Sequence, residues 1–417
     1  MSSTAGLNAF GADAVGPGGR GAAASGAGGF GALGSDTFGA DVSAVDAVGD
    51  SATDGIGVDG FRAAVRGAGD SAAHGFGAAA PRVSVAGPGV PPRRAVVLGS
   101  GGVLGFAWTI GALSALESEA GFDVRTASLL VGTSAGSVAA ALLSCGVSVD
   151  EIRRHHQGVP GPTDPPIGFD YATDTGGALP PRPRLRPGSP RLLVDALRHP
   201  RQGRAIVALT GVLPAGRGTL DPVRRLVADV ARDTRTVDWP ARTWIAATDY
   251  RSGRRVLFGR DHSPALPDAV VASCSIPAWY PPAVIDGRPY IDGGAVSNAS
   301  VDVVAGVDVD EVYVLAPMAS VDADRPRSPV SRIERAVRRA ITRGIIADVE
   351  ALQVAGRRVV LVTPGPEDLA VIGANLMNPR RRTEVLETAM RTSAVQLRVQ
   401  LAARVTRARR ASGQSPA

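Results

Sequence analysis

Leu129-Leu130-Val131-Gly132-Thr133-Ser134-Ala135-Gly136-Ser137-Val138-Ala139-Ala140-Ala141-Leu142-Leu143 is the stretch around which the rest of the chain is organised. A short apolar run opens it and reads as a buried strand, and an Ala/Leu-rich run closes it and reads as a helix. Between them stands Gly-x-Ser-x-Gly, with Gly132 and Gly136 flanking Ser134. A serine at such a strand-to-helix turn is held in a strained backbone conformation, and the two glycines let strand and helix approach without a Cβ clash. The turn drives the hydroxyl out at the C-terminal edge of the sheet. There the positive end of the helix dipole favours a developing oxyanion. Ser134 is the candidate nucleophile.

Upstream, Arg94-Ala95-Val96-Val97-Leu98 reads as a second buried strand, running into Gly99-Ser100-Gly101-Gly102-Val103-Leu104-Gly105 and then a helix from Phe106 to about Glu119. With the Ser134 strand this makes a βαβ unit with parallel neighbours. A dinucleotide fingerprint fits neither register of the loop: counted from Gly99 the third glycine position holds Leu104, and counted from Ser100 the first position is serine. A Walker loop needs a lysine, and the chain has none. The loop reads better with the serine, its Gly101 and Gly102 amides supplying an oxyanion hole together with the amide of Ala135, the residue after the nucleophile.

Downstream, Gly146 suits the end of the Ser134 helix, residues 158–190 read as a proline-rich loop, and short helices are expected at 190–199, 203–211 and 221–233. The last opens with Asp221-Pro222 in N-cap and N1 places. Strands follow at 243–249 and 255–258, then a helix at 266–273. Ser275-Ile276-Pro277-Ala278-Trp279-Tyr280-Pro281-Pro282 is either a core corner or an acyl-binding wall. Asp286-Gly287 between two apolar runs reads as a tight hairpin turn. Asp292, at the end of a strand and ahead of Gly293 and Gly294, leaves a carboxylate on a bare backbone. A strand at 311–316, a long helix at 330–354, a strand at 358–362 and a helix at about 380–409 complete the chain. Strands alternating with helices imply a largely parallel sheet covered on both faces.

Composition divides the chain in two. Residues 1–92 are rich in Gly, Ala and Asp with no Glu and no apolar period, and read as a disordered tail; residues 93–417 read as one domain. Eight Asp against four Arg give the tail −4, so the domain carries +10 toward the overall +6. Every cation is arginine and only 4% of residues are aromatic, which argues against a nucleic-acid surface. Cys145 and Cys274 form neither a disulfide framework nor a metal set, and read as buried reduced thiols of a cytoplasmic protein. No signal peptide or membrane span is evident, so membrane contact would be peripheral, at the inner face. Arginines of the last helix are a candidate for it, though such a run is more often a solvated face.

Serine needs a base. His74 lies in the tail, and His155 and His156 precede the proline loop as expected surface residues. No histidine follows His262, where a Ser…Asp…His order would require one; His262 oriented by Asp249 is the remaining imidazole option. Asp292 sits where a strand-end carboxylate reaches Ser134 directly.

Ser100-Gly101-Gly102-Val103-Leu104-Gly105, Gly132-Thr133-Ser134-Ala135-Gly136 and Asp292-Gly293-Gly294, in that order, resemble the patatin-like phospholipases, as does the approach from Ser273-Cys274-Ser275-Ile276-Pro277 to Asp292. The resemblance covers roughly residues 94–317. It implies a three-layer α/β/α fold with a mostly parallel central sheet, and a lipid acyl hydrolase without metal or cofactor, working through an acyl-serine intermediate. Carried over, Ser134 is the nucleophile, Asp292 the base and then acid, Gly101, Gly102 and Ala135 the oxyanion donors, and Gly105, Gly132, Gly136, Gly293 and Gly294 the supporting glycines. The substrate would be a lipid or other acyl ester. Two positions depart from the family pattern. Ser100 replaces a glycine and Leu104 an Arg or Lys, which shifts expectation toward neutral esters. A transacylase and a non-catalytic lipid- or protein-binding module are the competing readings.

Overall fold

A computed structural model describes residues 91–411 except 172, 176, 178–215, 237, 323, 325 and 327, with 404–411 described by backbone alone. The tail and the helices expected at 190–199 and 203–211 thus lie outside the described residues. In chain order the first elements are β1 (Arg94–Leu98), α1 (Gly102–Ala120), β2 (Leu129–Thr133), α2 (Ala135–Ser144) and α3 (Val149–Gln157). Next come α4 (Asp221–Asp233), β3 (Thr243–Asp249), β4 (Arg255–Phe258), α5 (Leu266–Ser273), β5 (Ala283–Ile285) and β6 (Arg288–Asp292). The chain ends with β7 (Glu311–Leu315), α6 (Pro329–Val354), β8 (Arg358–Val362), α7 (Pro366–Ile372) and α8 (Arg382–Ala411).

Eight strands among the described residues form one sheet in the order β5-β6-β3-β2-β1-β7-β8, with β4 also on β3. The five central strands, β3-β2-β1-β7-β8, are parallel, whereas β4, β5 and β6 join antiparallel. The alternation of side chains explains the apolar runs. Val96, Leu98, Leu130, Tyr313 and Leu315 face a core shared with α1, α2 and α8. Their neighbours Ala95, Val97, Val131, Val312 and Val314 face a second core with Ile345, Val349 and Leu352 of α6. Both faces of the sheet are covered, as parallel strands require, and each fully buried aliphatic side chain contributes roughly 1.5–3 kcal/mol.

Element ends differ from expectation by a few residues. Helix α1 begins at Gly102, inside the glycine loop, rather than at Phe106. Asp221 is the first residue of α4 rather than its cap, its N–H taken by Thr219 Oγ1 at 3.1 Å. The hairpin turn at Asp286-Gly287 forms as expected, with φ of 48° and 70°. Cys145 and Cys274 are both buried and free.

The decisive register lies on β3. Its first half pairs with β2, Thr133 opposite Ala246, and its second half with β6, Asp292 opposite Ala247. Strand β4 spans Ile245 to Thr248, overlapping both pairings, and therefore occupies the other flank. Strands β2 and β6 consequently meet end to end along one side of β3. This brings the last residue of β6 against the turn that follows β2.

Candidate active site

The turn after β2 is the strained elbow expected from its sequence. Ser134 adopts φ 52° and ψ −120°, a left-handed conformation rare for a side chain other than glycine. A Cβ on Gly132 would come 2.6 Å from Ser137 Cα, and one on Gly136 would strike the Leu98 carbonyl. Two serines fix the elbow. The Ser134 N–H donates to Ser273 Oγ at 2.8 Å, which itself donates to the Ala246 carbonyl at 2.6 Å. Ser137 Oγ donates to the Ser134 carbonyl at 2.6 Å. Ser273 and Ser137 were not singled out from sequence. Ser137, three residues beyond the nucleophile at the head of a helix, matches a hydroxyl-to-backbone motif; Ser273 is legible only from the β3 register.

Asp292 is buried, and its Oδ1 accepts the Gly294 N–H at 2.7 Å. Burial pushes its carboxyl up to about 6, against the opposing pull of hydrogen bonds from the Ser134 hydroxyl and the Gly294 N–H. Ser134 and Asp292 are thus brought together. A Cβ on Gly293 would meet the Ala246 carbonyl and lie 3.1 Å from Thr133 Cγ2, so this glycine permits the close junction of β6 with β2. Cys274 also adjoins Ser134, but burial raises its thiol to about 12, leaving it a neutral wall.

Two helix N-termini flank the hydroxyl. Gly102 (φ 60°) and Ala135 line the same cleft as Ser134, and Gly101 packs on Pro317. Among the described residues no protein acceptor takes the N–H of Gly101, Gly102 or Ala135. Ser100 joins this loop to the carboxylate segment: its N–H donates to the Asn298 carbonyl and its Oγ to Asn298 Oδ1, both at 2.7 Å. Leu104 packs in the core and does not line the cleft.

The cleft has a volume of about 100 Å³. Its walls are mostly apolar, among them Phe106, Val138, Leu226, Ile276, Tyr280 and Met377. Of the proline-stiffened run 275–282, Ile276 and Tyr280 line this cleft.

The histidines lie elsewhere. Asp249 Oδ1 accepts from Arg251 and Ser252 N–H in a turn, while exposed His262 meets Phe258 edge to face with ring centroids 4.9 Å apart, so these two form no pair. His155 and His156 are not the surface residues expected. Residues 165–171 fold back over them, the Ile167 carbonyl lying 2.8 Å from His155 Nε2 and the Tyr171 ring 4.3 Å from that of His156. His156 is fully buried, and desolvation lowers it to about 3. Among the described residues no group of His, Cys, Asp and Glu is arranged to hold a metal ion.

The family model for patatin-like phospholipases matches residues 96–157 and 180–305, a span that includes the glycine loop, the elbow and Asp292. The chain belongs to the patatin-like phospholipase family. Within and around that family, uncharacterised NTE family proteins of Mycobacterium bovis and Mycobacterium tuberculosis are each 29% identical over 219 residues. The match covers 52% of this chain and 47% of theirs, so it spans about half the length of the curated relatives. Among solved structures, VipD from Legionella pneumophila aligns at a TM-score of 0.37 and 12% identity, over 75% of this chain and 68% of that one. The type III effector protein ExoU aligns at 0.32 and 17%, over 74% of this chain and 53% of that one.

Proposed function

We propose that this patatin-like protein is a serine lipid acyl hydrolase working through a Ser134–Asp292 dyad. The observation that carries the reading is the end-to-end meeting of β2 and β6 on β3, which sets a buried carboxylate against the hydroxyl of a strained elbow. An aspartate ordinarily titrates near ~3.9 and is a poor base for an alcohol. Raised to about 6, Asp292 is a stronger base yet remains mostly ionised at neutral pH, the compromise that general-base catalysis favours.

The acyl chain enters the apolar cleft with its ester carbonyl at the heads of α1 and α2. Asp292 takes the Ser134 proton as Oγ attacks the carbonyl carbon. The tetrahedral oxyanion is held by the amides of Gly101, Gly102 and Ala135, each such donor being worth roughly 10²–10³ in rate. Collapse expels the alcohol, which receives its proton from Asp292, and leaves acyl-Ser134. Water enters, gives its proton to Asp292 and attacks the acyl carbon. The second collapse releases the acid and regenerates the serine. An alcohol in place of that water would make the protein a transacylase.

A fluorophosphonate probe followed by peptide mapping tests the reading. The expected adduct is on Ser134, lost in Ser134→Ala, with parallel loss of medium-chain p-nitrophenyl ester hydrolysis in Ser134→Ala and Asp292→Asn. A folded protein that takes no label and turns over no ester would be a binding module on this scaffold.

A further inference from the structure

Helix α6 carries two unlike faces. Its buried face holds Arg335 and Arg338, both in ion pairs with Glu334. Arg338, only 1% exposed, also donates to the carbonyls of Pro317 and Ala319, just past the end of β7. Because β7 runs parallel to β1 and β2, that end of β7 is the edge of the sheet at which Ser134 stands. The helix then runs back toward β8, which starts at Arg358 and is parallel to β7, so α6 is antiparallel to the strands. The nine residues from Pro329 to Val337 therefore extend beyond the catalytic edge, by roughly 13 Å at 1.5 Å per residue.

On the opposite face of this projecting part lie Val330, Ile333 and Val337, exposed by 65%, 68% and 52%. They sit at i, i+3 and i+7 and form one stripe, which the exposed Ala340 and Gly344 continue. Arg332, Arg339 and Arg343, all exposed, line its flank at a spacing of seven and four. A water-facing helix gains nothing from showing three branched aliphatics in a row. An apolar stripe beside a row of arginines is instead the pattern of a helix lying in a membrane interface, with its apolar side among acyl chains and its cations at anionic headgroups. Among the described residues no helix is long and apolar enough to cross a membrane, so contact by α6 is interfacial.

We infer that the exposed face of α6 docks the protein on an anionic lipid surface, with the helix and the strands antiparallel to it lying along the bilayer. The occupant follows from charge complementarity, since the arginine row asks for anionic headgroups and the aliphatic stripe for the chains beneath them. The inference rests on the proposed lipid hydrolase only for the identity of the surface; binding is measurable without turnover.

The test is flotation of the full chain, as Ser134→Ala, with vesicles of phosphatidylcholine alone or mixed with phosphatidylglycerol. Binding is expected to the mixed vesicles and to fall as salt rises. At about fivefold per arginine near an anionic surface, Arg332→Gln/Arg339→Gln/Arg343→Gln should weaken it on the order of 100-fold. Ile333→Gln/Val337→Gln should weaken binding to the mixed vesicles, whereas the exposed pair Val395→Gln/Val399→Gln on α8 should not. On the active background, the α6 variants should lose turnover of vesicle lipid and keep that of a soluble short-chain ester. Equal binding by the α6 variants and their parent would overturn the docking face, as would no binding to anionic vesicles. Sedimentation showing a dimer that these variants break would also overturn it, by assigning the stripe to a second copy. Absence of ester hydrolysis in the wild-type chain, with vesicle binding intact, would count against the catalytic reading and not against the surface.

Discussion

On the proposed mechanism, replacing Asp292 with asparagine should abolish ester hydrolysis and make the fold more stable. Burial raises this carboxyl from 3.8 to about 6 in the folded protein. The folded state thus binds the proton more tightly than the unfolded chain, and stability falls as pH rises between the two values. Two pKa units at 1.36 kcal/mol each correspond to about 3 kcal/mol, present as a penalty above pH 6 and absent below pH 4. Asparagine keeps an oxygen for the Gly294 N–H and carries no charge. The variant should therefore exceed wild type by up to about 3 kcal/mol at pH 8, with the gap closing as pH falls through 6 toward 4. Urea unfolding followed by the fluorescence of the four tryptophans measures this directly. In parallel, removal of a general base should reduce ester hydrolysis by about 10²–10⁴. The wild-type kcat/KM should fall tenfold per pH unit below about 6, as the base becomes protonated. An Asn variant less stable than wild type at pH 8, or a stability difference that ignores pH, would refute the claim that a desolvated charge sits at this position. A rate flat down to pH 4 would refute Asp292 as the base.

Three further substitutions probe the frame around the site. Ser134→Gly places at φ 52° the residue that tolerates it best, so it should exceed Ser134→Ala, which lacks the hydroxyl equally, by about 1 kcal/mol in the same unfolding assay. Gly136→Ala pushes a methyl group into the Leu98 carbonyl, and overpacking of this kind should cost about 3 kcal/mol, seen as a lowered urea midpoint with loss of esterase activity. Arg338→Met strands Glu334 beside a single remaining partner and should destabilise by about 3–5 kcal/mol, whereas the double variant Arg338→Met/Glu334→Leu should recover most of that loss.

Much of this architecture is legible from residue order because its signals are local. Strands 94–98 and 129–133 are short apolar runs buried on both faces, 358–362 is one buried on one face and half-buried on the other, and the elbow declares itself through glycines whose absent side chains make room for Leu98 and Ser137. Asp292 stands out because two glycines follow it. What escaped depends on contacts between distant segments. His156 looks solvent-facing until residues 165–171 close over it, and Arg338 reads as one more charge on a polar helix until the loop after β7 surrounds it. Leu104 aligns with a cation in the family pattern, but its burial is set by how α1 packs. The anchoring of Ser134 by Ser273 follows from the pairing of β3 with two strands at once, which no single segment encodes.

That shared flank of β3 also makes the strand a ruler. The spacing of Ser134 and Asp292 follows the step from Ala246 to Ala247. One residue inserted there would carry Asp292 away from Ser134 by a strand repeat of about 3.3 Å and turn it to the other face, while the ladder of β1 and β2 stayed intact. Descendants of this chain could therefore part the two side chains through a single codon yet keep both residues and all three glycine motifs, and a survey that scores motifs alone would not tell them apart.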